Sequence, residues 1–395
     1  MTAARIESAA QAVAVARELA DAFAPGAAQR DRERVVPREE LEAIGTSGLL
    51  ALTVPAGLGG AGLGAATLAE VVRILAAADA SLAQVLQNHF VFVRTFVLHG
   101  DEQQRRRLAA AVVAGARLGN ALSERGGPRT GGIATALTPV AGEAEVWELS
   151  GRKYYTTGAL TAQIVPVRAS GVDGEPVIVY LDRAAPGLEV IDDWAGFGQR
   201  GTHSGTTVLN GVRVAPGDVV ALPDLSGPPT ADGAFGQLIH AAIDVGLAEG
   251  ALAAAVGFVR DRARVYADSP AERASEDPLV MAEVGQCEVA VRGARALLAE
   301  AAARVDEAGD RPDEPQAAEA SVAVAAAKVA ASRAAVSVAN ELFALAGTSA
   351  TDERHGLDRW WRDARVHTLH DPDRYKLRHI GDWVLNGVRP VGPLL

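Results

Sequence analysis

Apolar residues recur at helical spacing through the first third of the chain, predicting helices near Ser8 to Phe23, Arg38 to Gly48, Ala65 to Ala78, Ala80 to His99 and Glu102 to Ala114. Short glycine-rich or acidic breaks separate them. From about Leu118 the pattern changes, and Val146-Trp-Glu-Leu-Ser, Ile164-Val-Pro-Val, Val177-Ile-Val-Tyr-Leu and Thr206-Thr-Val-Leu read as short strands divided by turns. Beyond the Pro/Gly/Asp-rich stretch from Pro216 to Asp232, long alanine-rich helices return over Phe235 to Ala267, Pro278 to Ala308 and Pro315 to Ala346, with a last helical region from near Gly356. Their small residues suit close antiparallel packing in a bundle. The expectation is a mainly α protein with an inserted β domain: N-terminal helices at 1–117, a middle β domain at 118–230 and a C-terminal helical bundle at 231–395.

Composition narrows the function classes. The 395 residues are enough for two or three packed subdomains and a buried cofactor. A net charge of -11 argues against partners that attract basic surfaces, so no nucleic-acid or anionic-membrane partner is expected. The lone Cys287 has no CxxC neighbour and reads as an inert core residue, with neither a disulfide nor a zinc site implied, and no metal is expected. Arg5, Glu7, Arg17, Glu18 and Asp21 interrupt the alanine-rich N-terminus, which lacks the apolar run of a signal peptide. With no uncharged apolar stretch of about 18 residues to suggest a membrane span, a cytoplasmic protein acting on a small molecule is the expectation.

One glycine pattern invites a dinucleotide reading. Gly57, Gly59 and Gly62 satisfy G-x-G-x-x-G, but helical pattern lies on both sides and Pro55 sits just before, so a connecting loop is expected and any reducing equivalents would come from elsewhere.

Several longer motifs together resemble the acyl-CoA dehydrogenase superfamily over nearly the whole chain. They are Thr53-Val-Pro-Ala-Gly-Leu-Gly-Gly-Ala-Gly-Leu, Gly119-Asn-Ala-Leu-Ser-Glu-Arg-Gly-Gly, Gly151-Arg-Lys-Tyr-Tyr-Thr-Thr-Gly, Gly198-Gln-Arg-Gly-Thr-His-Ser-Gly with Val208-Leu-Asn-Gly-Val-Arg-Val, and Arg362-Asp-Ala-Arg. The resemblance implies an N-terminal helical domain, a middle β-barrel and a C-terminal four-helix bundle. It also implies a homotetramer. Carried over residue by residue, Asn120, Ser123, Tyr155, Thr156 and Thr157 become expected flavin contacts. Arg200 and Ser204 join them as anion and cofactor contacts, with a solvated hairpin as the alternative for the turn that holds them. His89 stands near the expected pocket floor, where a satisfied core histidine is the other reading, and Trp194 either packs the β domain or lines the substrate cavity.

The chain departs from the dehydrogenases where they place their catalytic glutamate. Counted from Arg362-Asp-Ala-Arg, that position falls on Asp371, with His370 before it and Pro372 after it. A shortened carboxylate is a poor base for a thioester substrate, because proton abstraction needs hydrogen-bond reach. His367 and His370, three positions apart, enter instead and share one face of a helical turn. His-Thr-Leu-His-Asp-Pro, Tyr375-Lys, Ile380-Gly-Asp, Leu385-Asn-Gly and Thr157-Gly-Ala-Leu-Thr-Ala resemble a narrower group, the sulfur-acquisition oxidoreductases and dibenzothiophene monooxygenases. That resemblance implies a two-component monooxygenase of sulfur metabolism, taking reduced flavin from a separate flavin reductase and O2 to oxygenate a small organosulfur or nitrogen-containing substrate. In it, His370 would steady a flavin C4a-hydroperoxide and His367 would orient it or meet the substrate. The acidic stretch Ala267-Asp-Ser-Pro-Ala-Glu-Arg-Ala-Ser-Glu-Asp-Pro would repel a pyrophosphate and favours FMN, with FAD open. Two alternatives remain at this stage: an acyl-CoA dehydrogenase using Asp371 as base, and a catalytically inactive flavin- or ligand-binding homologue.

Overall fold

The structure, a computed structural model, describes residues 3–126, 132–143, 145–223 and 229–390. Five helices lead: α1 (Ala9–Glu33), α2 (Arg38–Thr46), α3 (Ala65–Ala78), α4 (Ala80–His99) and α5 (Glu102–Val113). Their starts follow local chemistry. Asp79 caps α4 by accepting from the Ser81 and Leu82 amides, and Asp101 with Gln104 forms a reciprocal capping box on α5. Gly64 before α3 has no side chain to offer, and Asp306 from the distant bundle accepts the Ala65 and Ala66 amides at 2.5 and 3.0 Å instead. A Cβ on Gly64 would stand 2.5 Å from that carboxylate, so glycine is required for this long-range cap.

The expected end of α1 at Phe23 is corrected: the helix runs ten residues further, through Pro25. An interior proline costs about 3 kcal/mol. Tertiary contacts offset it, since Arg30 in the extension pairs with Asp79 and Glu40 and Asp31 pairs with Arg362. The glycine pattern at 57–62 forms a loop containing the short 3-10 turn Ala56–Leu58, tied back by Gly62 N–H to the Val54 carbonyl and Leu63 N–H to that of Leu52. Among the described residues no strand precedes it.

Among the described residues seven strands follow: β1 (Ala136–Pro139), β2 (Trp147–Lys153), β3 (Ile164–Ser170), β4 (Pro176–Asp182), β5 (Leu188–Ile191), β6 (Thr206–Val214) and β7 (Val219–Ala221). Their hydrogen-bonded order is β5-β6-β2-β1-β3-β4-β7, antiparallel except for β1 with β3. The expected barrel takes the form of this sheet, its end strands β5 and β7 unpaired with each other and its strands sharing one core of Leu149, Val165, Val167, Val179, Leu209 and Val212.

The bundle is built from α6 (Asp232–Asp261), α7 (Pro278–Ala308) and α8 (Glu314–Ala346), closed by α9 (Asp358–His367) and α10 (Asp373–Asn386). The predicted end of α6 at Ala267 is too late; the helix stops at Asp261. Two of these helices, α6 and α8, are long and apolar enough to cross a membrane, yet their most apolar windows are 72% and 61% buried within the protein. They are core helices. Polar side chains in their interior, among them His240 and Asp244 on α6 and Lys328 on α8, therefore need partners inside the fold.

Candidate active site

One wall of the site comes from the β domain. The segment from Leu118 runs parallel to β3, bridging Leu118 to Ile164 and Ala121 to Val167, and Ser123 bridges Tyr154. Glu124 fixes its far end. Burial opposes ionisation of this carboxyl, but Lys153 at 2.6 Å and hydrogen bonds from Ala134 and Thr135 outweigh it and hold its pKa down to about 2. Ser123 is exposed, Asn120 is buried, and Gly127 of the same motif lies outside the described residues. Asn120 Nδ2 donates to the Tyr155 carbonyl at 3.2 Å, while its Oδ1 is buried with no partner.

Tyr155 sits at φ +58, a left-handed conformation uncommon for a bulky residue. This turns its half-exposed ring onto Trp194, edge to face at 6.3 Å, with the Arg125 guanidinium 4.8 Å from the ring centre. Thr156, fully buried, spends its hydroxyl on the Gly205 carbonyl at 2.9 Å. It is a fastener. Thr157, Ser204 and Thr202 form a chain of hydroxyls with both contacts at 2.7 Å. Behind them, buried Arg117 donates to the carbonyls of Gly158 and Thr161 and holds that turn in place.

The loop from Asp192 to Gly205 makes the second wall. Trp194 Nε1 donates to the Gln199 carbonyl at 3.0 Å, and Arg200, half-buried, has an Nε with no protein partner. Asn120 Oδ1, Gln199 Nε2 and His203 Nε2 are likewise buried and unpartnered. Buried polar atoms are seldom left bare, and a polar, anionic ring system with a phosphate tail is the kind of group these donors and acceptors fit. The loop is locked to α9: Asp363 accepts the Gln199 amide at 2.5 Å, and Arg362 donates to the Phe197 carbonyl at 2.9 Å. At Gly198 an added Cβ would meet the Arg362 carbonyl at 2.1 Å, so the approach requires glycine. The Arg362-Asp-Ala-Arg motif thus ties this loop to the helix carrying His367.

One turn beyond Asp363, α9 ends on the chemistry. His367 is completely buried, and its Nδ1 meets Asp244 Oδ1 at 2.5 Å while Lys328 meets the other carboxylate oxygen at 2.5 Å. Burial works against ionisation of Asp244, but Lys328 and His367 together lower its pKa, so the carboxylate is charged and His367 Nδ1–H donates to it. His367 Nε2 then faces His240 Nδ1 at 3.0 Å and Gln84 Oε1 at 3.1 Å. His370 Nδ1 lies 2.7 Å from the His367 carbonyl, which can only accept, so Nδ1 carries the proton. Its Nε2 meets the Gln84 amide nitrogen at 3.2 Å. His370 keeps an exposed face although protein packs around its ring. Burial, then repulsion from His367, drives its pKa down to about 4. Neutral His370 is therefore an acceptor at Nε2, where it receives the Gln84 amide N–H.

Two expected site residues are committed to other partners. His89 is enclosed, donating from Nε2 to the Leu50 carbonyl at 2.9 Å and accepting the Leu118 amide on Nδ1 at 3.1 Å, so neither nitrogen is left for a substrate. Asp371 is buried and ion-paired with Lys376 at 2.7 Å, which occupies the carboxylate that would have served as base. Sequence reading also missed Gln84, His240, Asp244 and Lys328. A signal existed: His240 and Asp244, four apart, share one face of a mostly apolar helix.

The depressed imidazoles make stability depend on pH. His89 and His370 are pushed to about 4 by burial and His240 well below its ordinary value, whereas in the unfolded chain all three titrate near about 6.5. Between those values the unfolded chain binds protons that the native one refuses, so stability falls as pH drops through the window from about 6.5 to about 4. Asp363, raised to about 7 by burial and by Asp31, works in the opposite direction but is outnumbered. The urea midpoint should decline from pH 7 to pH 4.5 (approximate bounds of that window); a flat or rising midpoint would contradict the assignment.

Comparison with known proteins agrees with this architecture. The family model for the acyl-CoA dehydrogenase N-terminal domain matches residues 7–116, and that for the C-terminal domain matches residues 238–372. The chain is 33% identical to dibenzothiophene monooxygenase of Rhodococcus qingshengii over 96% of its length and 94% of the relative's. It is 33% identical to the probable FMNH2-dependent monooxygenase SfnC of Pseudomonas putida, covering 96% of each. TdsC of Paenibacillus sp. A11-2, solved with FMN and indole, superposes with a TM-score of 0.91 at 32% identity, over 97% of this chain and 99% of TdsC. With its helix–sheet–helix order and matches along nearly its whole length, the chain belongs to the acyl-CoA dehydrogenase family, in the group that includes the dibenzothiophene monooxygenases.

Proposed function

We propose that the protein is a two-component flavin-dependent monooxygenase that uses reduced FMN and O2 to oxygenate a small organosulfur or nitrogen-containing compound. One observation carries the reading: the imidazole of His370 is exposed, while the carboxylate at the dehydrogenase base position, Asp371, is engaged by Lys376. Asn120, Thr157, Arg200 and Ser204 would hold the flavin, with Ser123 at the mouth and Thr156 fastening the wall. FMN activates oxygen when bound in its reduced form. Neutral His370 would accept and return a proton at the reacting oxygen through Nε2 once the Gln84 amide that donates to it has turned away, and His367 fixes its ring through the backbone carbonyl. Tyr155 and Trp194 give the cleft an aromatic wall for an apolar substrate.

FMN is favoured over FAD by the acidic 267–278 connection and by the FMN bound to the similar TdsC. In this reading a separate reductase supplies the flavin, and the chain works in the cytoplasm as a homotetramer that would cover apolar side chains such as Val289 on α7 and Val384 and Leu385 on α10, all more than 70% exposed. The deciding experiment gives the purified protein FMNH2, oxygen and an aromatic thioether. Oxygen uptake matched by sulfoxide is the expected outcome. Bleaching of bound flavin by an acyl-CoA, with no reductase present, would overturn the reading in favour of a dehydrogenase.

A further inference from the structure

We propose that Gln84 makes His367 and His370 a one-proton switch, in which a single proton is held on Nε2 of one imidazole or the other and the amide turns over to follow it. The proposal rests on hydrogen-bond direction. His367 Nδ1–H is committed to Asp244 at 2.5 Å and His370 Nδ1–H to the His367 carbonyl at 2.7 Å. Only the two Nε2 atoms are left to gain or lose a proton, and the same side chain spans both: Gln84 Oε1 at 3.1 Å from His367 Nε2 and Gln84 Nε2 at 3.2 Å from His370 Nε2.

An amide has one accepting and one donating end. In the observed orientation the oxygen requires an N–H on His367 and the nitrogen requires a bare His370. After a half-turn of the amide the requirement reverses, with His367 bare and His370 carrying the N–H. With both Nε2 atoms bare, the amide oxygen faces a lone pair whichever way it turns. With both protonated, the amide N–H faces another N–H and two neighbouring imidazoles are charged, their ring centres 5.0 Å apart. One proton is the number that satisfies every group. His240 Nδ1, 3.0 Å from His367 Nε2, serves either state, as donor to the bare nitrogen or acceptor of its N–H.

The surroundings bias the switch. Asp244 from α6, held ionised by Lys328 from α8, stabilises the proton on His367. The other charged groups at the cluster, Lys376 of α10 and its partner Asp371, form a pair of zero net charge. Of the two rings, His367 has the ionised carboxylate at its other nitrogen and is the favoured holder of the shared proton, although burial lowers its own pKa, and exposed His370 is the alternative holder, its Nε2–H then given to the turned Gln84 oxygen. Gln84 is a positioning residue here: it acts through His370 and needs no contact with substrate.

This inference deepens the oxygenase reading, but its first test needs neither substrate nor oxygen. Nitrogen-15 spectra of histidine-labelled wild-type protein, titrated without flavin, should show His367 and His370 Nε2 sharing one proton, one gaining occupancy as the other loses it. Independent titration of the two rings would overturn the switch. The second test is the pH profile of product formation in two variants. Gln84→Glu offers acceptors to both rings and should shift the profile to higher pH, whereas Gln84→Met, close in volume, offers neither and should shift it to lower pH. Each shift should be about one to two pH units, the size expected for a hydrogen bond to a charged ring. A merely structural Gln84 predicts unmoved profiles or shifts in one common direction, and either sinks the proposal. Failure of the oxygenase reading alone would leave the nitrogen-15 result intact.

Discussion

His370→Ala will lower oxygenated product by about 10²- to 10⁴-fold, the usual contribution of a positioned proton-handling group, while leaving flavin binding near its wild-type level. The reason is the division of labour in the cleft. The residues proposed to hold the cofactor belong to the β domain and the Asp192–Gly205 loop, whereas His370 follows α9 and makes its hydrogen bonds to the His367 carbonyl and Gln84. Its loss removes no contact on which that wall depends. Reduced flavin would still consume oxygen, and the unused oxygen would leave as hydrogen peroxide. Parallel measurement of oxygen uptake, peroxide and product checks this. Product and peroxide yields unchanged from wild type would take His370 out of the chemistry.

A second large effect is expected from the buried charges beneath it. Asp244 and Lys328 have side-chain exposures of 0% and 1% and are paired at 2.5 Å. Asp244→Asn keeps the shape but leaves the ammonium without its counter-charge, a type of change that costs about 3 to 5 kcal/mol. The urea midpoint should fall accordingly. Replacing both partners, Asp244→Leu with Lys328→Met, should recover most of that stability, because apolar pairs of similar size commonly replace buried ion pairs without penalty. Product formation should stay low in the recovered protein, since His367 has lost the carboxylate that fixes its tautomer. A double variant that regains both stability and activity would show that the pair is structural only.

Much of the architecture was legible along the chain. The helices over Ala65 to Ala78, Ala80 to His99 and Pro278 to Ala308 lie where periodicity put them, because each has an apolar stripe and a local stop or cap: Asp79, the Asp101 box, and Asp277 before Pro278. Local rules misjudged α1 at Pro25 and α6 at its end. In α1 the decisive terms are ion pairs to Asp79, Glu40 and Arg362, distant in sequence and invisible to a local window.

The site divides in the same way. The sequence alone determined the order of domains, the family, and the replacement of a glutamate position by His370-Asp371, since these are matters of residue type and spacing read in a line. Only the tertiary structure decided what those residues do. It withdrew His89 into the core and Asp371 into an ion pair with Lys376, and it brought Gln84, His240, Asp244 and Lys328 from three helices around His367. The physical reason is that a buried histidine's tautomer, basicity and free nitrogen are set by partners that meet only when the bundle closes. No local pattern in the chain encodes those meetings.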